Sequence, residues 1–120
     1  MEKLNTNLSV AILTKNEKEN IREAILDLSF VDEVVVVDDF STDGTDDLAT
    51  KLGAAVYKRS LDGNFAEQRN FALQKAKGKW VLFLDADERV TNHLRDEISQ
   101  GVNNTLLNVS GYFIKGEDVL

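Results

Sequence analysis

Apolar and polar residues alternate in blocks along this chain, and the period changes from block to block. Leu8 to Thr14 is an apolar run carrying Val10, Ile12 and Leu13, and it reads as a buried strand. Asn16 follows as an N-cap with Glu19 in capping-box position, and Ile21, Ala24, Ile25 and Leu28 recur at helical spacing as one apolar stripe. Val34 to Val37 are consecutive valines bounded by acids, the pattern of a strand buried on both faces, which favours a parallel sheet. Ser41-Thr42-Asp43-Gly44 is turn chemistry. Thr45 is expected to cap a second helix. Asp46 and Asp47 fall in its first turn, where the dipole favours them, Leu48, Ala49 and Leu52 form its apolar side, and Gly53 stands at its C-terminal cap.

The same alternation continues. Ala54 to Tyr57 reads as a short third strand, and Asn64 as the cap of a third helix whose buried side is Phe65, Ala72, Leu73 and Ala76, ending at Gly78. Trp80 to Leu84 is a fourth apolar strand running straight into Asp85. Asn92 opens a fourth helix with Leu94 and Ile98, closing near Gly101, and Gly111 to Ile114 reads as a fifth strand. This β-α-β-α-β-α-β-α-β order predicts a single α/β domain over residues 1–120, an open, mostly parallel sheet with helices on both faces. Ligands of such sheets bind outside the carboxyl ends of the strands. The polar groups following the strong strands, Thr14 to Glu17, Asp38 to Asp43 and Asp85 to Glu88, therefore share one edge.

Composition narrows the chemistry. The 120 residues are 42% hydrophobic and 29% charged, ordinary for a globular domain. With no cysteine, disulfides and thiolate metal sites are excluded. The net charge of −7 argues against a nucleic-acid partner. No apolar run is long enough to span a membrane, and the N-terminus lacks the apolar stretch of a signal peptide, so a cytoplasmic location is expected.

The acidic residues cluster. Asp85 and Asp87, if extended, project to one side, as half of a hard-cation site at the ligand edge. Mg²⁺ takes one or two protein carboxylates and completes its shell with water and substrate phosphates, so a diphosphate is the matching partner.

Leu8 to Glu17 resembles the opening strand of family 2 (GT-A type) glycosyltransferases. Val36-Val37-Asp38-Asp39-Phe40-Ser41-Thr42-Asp43-Gly44-Thr45 resembles their second-strand motif, Gln68 to Leu73 their arginine-bearing third helix, and Trp80 to Val90 their D-x-D strand. The resemblance covers roughly residues 8 to 115, and Asp85-Ala86-Asp87-Glu88-Arg89-Val90 is especially similar to the branch that adds sugars to the lipopolysaccharide core. It implies a GT-A fold, here truncated to its nucleotide-sugar-binding part. It implies that Thr14 and Glu17 border the base and ribose, that Asp39 accepts the imide N–H of uracil, and that Arg69 reaches the pyrophosphate or the base. The resemblance also implies that Asp85 contacts ribose or metal and that Asp87 binds Mg²⁺ or Mn²⁺. Asp38 can instead hold the loop, Ser41 and Asp43 read as turn formers, and Glu88, Arg89 and His93 are secondary candidates.

The implied reaction is inverting transfer from a nucleotide-sugar, a UDP-sugar first, to a hydroxyl of a saccharide or lipid-linked acceptor, with peripheral contact at the inner membrane face. The family's base lies well beyond the D-x-D, and Gly116-Glu117-Asp118 comes too soon after Asp87 to supply it. The catalytic base is thus not identifiable, and the chain alone is expected to bind donor weakly and transfer poorly. Two other readings stay open: a non-catalytic nucleotide-sugar-binding module that self-associates through an exposed sheet edge, and a Mg²⁺-dependent phosphoryl-transfer domain.

Overall fold

The computed structural model describes residues 8–93, 95–98 and 112–115, the last as backbone. Its elements are β1 (Leu8–Thr14), α1 (Lys18–Leu26), β2 (Glu33–Asp38), α2 (Thr45–Lys51), β3 (Ala55–Lys58), α3 (Phe65–Lys75), β4 (Trp80–Phe83) and β5 (Tyr112–Lys115). Residues 92, 93 and 95–98 are also helical, so a fourth helix does open at Asn92. The expected positions of Leu94, Gly101, Gly111 and Gly116 to Asp118 lie outside the described residues.

The sheet runs β3-β2-β1-β4-β5. β1 pairs in parallel with both β2 and β4, and β2 with β3, whereas β5 runs antiparallel to β4. The first strands step outward to one side of β1, and the chain then returns to place β4 on the other side. Right-handed crossovers make such a reversal put successive helices on opposite faces, and the strands part at the point of reversal.

The core records this division. Leu8, Val10 and Ile12 of β1, with Val36 and Leu82, pack against Ile21, Ala24 and Ile25 of α1, Ala49 of α2 and Ile98. Ala11, Val35, Val37, Val81 and Phe83 face the other way, onto Ala72 and Leu73 of α3. The valine run of β2 is shared between the two faces, as its lack of alternation predicts.

Local capping departs from expectation in two places. Asn16 does not cap α1: it takes a left-handed φ of 55°, and Glu17 occupies the cap position. Its side chain is drawn away by tertiary bonding, since Asn16 Oδ1 accepts the Thr42 amide at 2.8 Å. Thr45 is the first helical residue of α2 rather than its cap, because Gly44 supplies the left-handed φ of 93° at which the chain turns in. Asn64 does cap α3, its Oδ1 accepting the Glu67 amide at 3.0 Å. α3 ends at Lys75 with Ala76 extended, short of Gly78.

Candidate functional site

The carboxyl ends of β1 and β2 lie side by side, with Thr14 in register with Asp38. Asp38 is fully buried. Its Oδ1 accepts the hydroxyls of Thr14 and Ser41, each at 2.6 Å, and its Oδ2 accepts the Ser41 amide at 2.8 Å. A carboxylate can be buried only when satisfied in this way. Asp38 is therefore occupied in holding the loop, and Thr14 spends its hydroxyl on the same bond.

Asp39, one residue on, is only partly buried. Its amide donates to the Thr14 carbonyl at 2.9 Å, while among the described residues its Oδ1 accepts one long bond, from the Leu61 amide at 3.3 Å. Asp43 is a turn former. It accepts the amides of Lys18 and Thr45 at 3.1 and 3.0 Å, and the Thr45 hydroxyl. The hydroxyl bond, foremost, holds the Asp43 carboxyl below the usual carboxylate range.

Two cavities open along this edge. One, about 200 Å³, is lined by Thr14, Lys15, Glu17, Asp39, Phe65 and Gln68 among others. The second, about 350 Å³, is lined by Arg69, Asp85, Glu88 and Phe83. Leu13 and Phe65 line both, so the two are neighbours along one cleft. The second cavity falls between β1 and β4, where the strand order reverses. A larger hollow, about 470 Å³, lies at the opposite ends of the strands among Ile25, Val34, Leu52 and Ala54 and holds none of the motif residues. The rule that α/β sheets bind ligands at their carboxyl edge selects the two smaller cavities.

Asp85 and Asp87 do not sit on an extended strand as expected. β4 stops at Phe83, and the Glu88 amide closes a turn on the Asp85 carbonyl at 3.0 Å. Glu88 Oε1 in return accepts the Asp85 amide at 2.8 Å. Strand alternation thus does not orient these carboxylates. Instead Ala86 is buried beneath the turn, 2% exposed, and leaves Asp85 and Asp87 exposed on either side. Among the described residues neither carboxylate has a hydrogen-bond or ion-pair partner. Asp85 and Glu88 line the second cavity, whereas Asp87, on the same turn, is not among its lining residues. No group of three or more His, Cys, Asp or Glu side chains converges as a ready-made cage among the described residues. Two hard oxygen donors beside a polar cavity do suit a cation whose remaining shell comes from phosphate and water.

The structure thus brings Thr14, Glu17 and Asp39 to one cavity and Arg69 and Asp85 to the next, and leaves His93 exposed. Several cleft residues escape a reading of pattern alone. Phe65, expected in the core, is instead 57% exposed at the first position of α3 and borders both cavities. Gln68 replaces it inside at 1% exposed, with its Oε1 accepting from Arg59 Nη1 at 2.8 Å and its Nε2 donating to the Arg59 carbonyl at 2.6 Å. The signal for Gln68 was its phase, four residues before Ala72. No helix of the described residues is long and apolar enough to cross a membrane.

Residues 9–101 match the model of glycosyl transferase family 2. An uncharacterized glycosyltransferase of Rickettsia bellii is 42% identical over 98 residues, covering 81% of this chain and 33% of that protein. The lipopolysaccharide core biosynthesis glycosyltransferase LpsC of Rhizobium meliloti is 32% identical over 101 residues, covering 74% and 34%. Among solved structures, residues 1–349 of S. aureus TarS superpose with a TM-score of 0.69 at 31% identity, over 81% of this chain and 32% of that one. Glucosyl-3-phosphoglycerate synthase of Mycobacterium tuberculosis, in complex with Mn²⁺, UDP and glucosyl-3-phosphoglycerate, gives 0.59 at 27% identity, over 68% and 35%. The chain spans about a third of the length of these relatives.

Proposed function

Because this chain belongs to glycosyl transferase family 2 and carries the GT-A type of sheet, we propose that its cleft binds the donor of a sugar transfer, a UDP-sugar with a divalent cation. The observation that carries this reading is the contrast among its aspartates. Asp38 is buried and saturated, whereas Asp85 and Asp87 stand exposed and unpartnered among the described residues, at the end of the cleft that Asp39 begins.

In this reading the uracil enters the smaller cavity, where the acceptor-only carboxylate of Asp39 takes the imide N–H and Thr14 and Glu17 border base and ribose. The diphosphate lies in the second cavity, between Arg69 and the turn. Asp87 would hold Mg²⁺ or Mn²⁺, with Asp85 on the cation or the ribose. The cation, when bound, offsets charge on the departing nucleoside diphosphate. The acceptor is a saccharide or lipid-linked hydroxyl whose oxygen attacks the donor's anomeric carbon as the bond to the nucleoside diphosphate breaks, with inversion, in polysaccharide or lipopolysaccharide synthesis on the cytoplasmic side. That Mn²⁺ and UDP occur together in the M. tuberculosis synthase supports the donor and cation assignments.

Calorimetric titration with a panel of nucleoside diphosphates, with and without Mn²⁺, tests the reading. UDP should bind best, Mn²⁺ should tighten it, and Asp87→Ala should abolish the Mn²⁺ effect. Binding of phosphate alone with no preference for a nucleoside would return the chain to the phosphoryl-transfer reading.

A further inference from the structure

Arg89 follows the Asp85–Glu88 turn directly. Its Nε donates to Glu23 Oε2 and its Nη2 to Asn20 Oδ1, each at 3.2 Å. Its Nη1 donates to the carbonyls of Ala86 and Glu88, at 3.1 and 3.2 Å. One planar side chain thus joins two residues of α1 to two carbonyls of the carboxylate-bearing turn. The next amide, that of Val90, donates to Asp27 Oδ2 at 3.3 Å, just past the end of α1. Asn20 in turn donates to Glu17 Oε1 at 3.2 Å, and Glu17 lines the cavity of Asp39. A hydrogen-bonded path therefore runs from one cavity to the other across α1.

This network is poorly placed to add stability. The Arg89 and Glu23 side chains are 36% and 68% exposed, and such surface pairs contribute little. The guanidinium fork is suited instead to fixing geometry, because its donors are rigidly disposed and a lysine has a single flexible point charge. We propose that Arg89 is a positioning residue, clamping the Asp85–Glu88 turn onto α1 so that the turn's carboxylates are held at the mouth of the cavity. This rests on the reading of Asp85 and Asp87 as cation ligands.

The test compares the full chain with its Arg89→Ala and Arg89→Lys variants. UDP binding is measured by calorimetry with and without Mn²⁺, metal-free uridine binding by amide chemical shifts, and amide exchange at Asp85 and Glu88 without any ligand. Arg89→Ala should weaken Mn²⁺-dependent UDP binding roughly 10-fold, the size of effect seen when groups orienting a metal ligand are removed. Uridine binding should be unchanged and exchange at the two turn amides faster. Arg89→Lys should resemble Arg89→Ala, since a compact ammonium lacks the spread, rigid fork by which three guanidinium nitrogens reach helix and turn together. Wild-type Mn²⁺ dependence in either variant overturns the proposal, as does an equal loss of uridine binding, which would mark general destabilisation. A wild-type chain whose UDP binding ignores Mn²⁺ overturns the cation-site reading itself, and the clamp with it.

Discussion

The Thr14 hydroxyl donates to the fully buried carboxylate of Asp38 at 2.6 Å, tying the end of β1 to the end of β2 where the cleft begins. The same carboxylate takes both the amide and the hydroxyl of Ser41, so one residue sets the path of the loop that carries Asp39. Under the proposed function the adjacent aspartates have separate tasks, and substitution should separate them.

Asp38→Ala removes the acceptor of three hydrogen bonds and leaves buried donors unsatisfied. A loss of about 3 kcal/mol of folding stability is expected, read as a lowered urea midpoint with little change in slope. UDP binding should fall as well, because the loop loses its anchor. A variant as stable as the parent would show that the loop is held by other contacts.

Asp39→Ala should leave folding stability within about 0.5 kcal/mol of wild type, as for a partly exposed group with one long bond. It should weaken UDP binding roughly 10-fold or more, the worth of a hydrogen bond to a charged acceptor. Calorimetry should show the preference for uracil over other bases lost together with that affinity.

Phe65 is exposed and lines both cavities. Phe65→Ala should therefore change stability by no more than about 0.5 kcal/mol. It should weaken UDP binding by about 1 kcal/mol, the lower end for an aromatic platform under a base. Phe65→Leu should keep part of the affinity. Strong destabilisation would mean that Phe65 belongs to the core after all.

Acid and alkaline limbs of stability should have separate origins. The Thr45 hydroxyl lowers the Asp43 carboxyl from its ordinary value of 3.8, and the Lys58 ammonium, 2.9 Å away, lowers that of Asp46. Groups with depressed values stabilise the fold fully above the ordinary value and lose that contribution as pH falls through the lower, folded one. Lys58 is raised by Asp46 above 10.5, so its share is complete below 10.5 and fades as pH climbs beyond it. Urea midpoints measured across both limbs should show Asp46→Asn flattening part of each, while Asp43→Asn flattens the acid limb alone.

Much of the architecture was legible along the chain. Local pattern places β1 at Leu8–Thr14, and the buried valines of β2 and the Asn64 cap fall where periodicity and capping chemistry put them, whereas the turn at Asp85–Glu88 replaces the extended segment that the pattern predicts. Errors fall where a tertiary partner outbids a local one. Asn16 has the makings of a helix cap, but Ser41 and Thr42 claim its amide and its side chain. Phe65 has the phase of a core residue, but it is exposed and borders the two cavities instead.

By itself, then, the sequence determined which segments are strands and helices and which acidic clusters end the strands, because those follow from periods of two and of three to four residues and from turn residues acting over a few positions. Only the tertiary structure decided that β4 docks on the far side of β1, that β5 runs antiparallel, and that Asp38 is consumed internally while Asp85 and Asp87 remain exposed. Strand order and hydrogen-bond partnership depend on contacts between residues far apart in the chain. Two aspartates of identical chemistry differ only in what the fold brings to meet them.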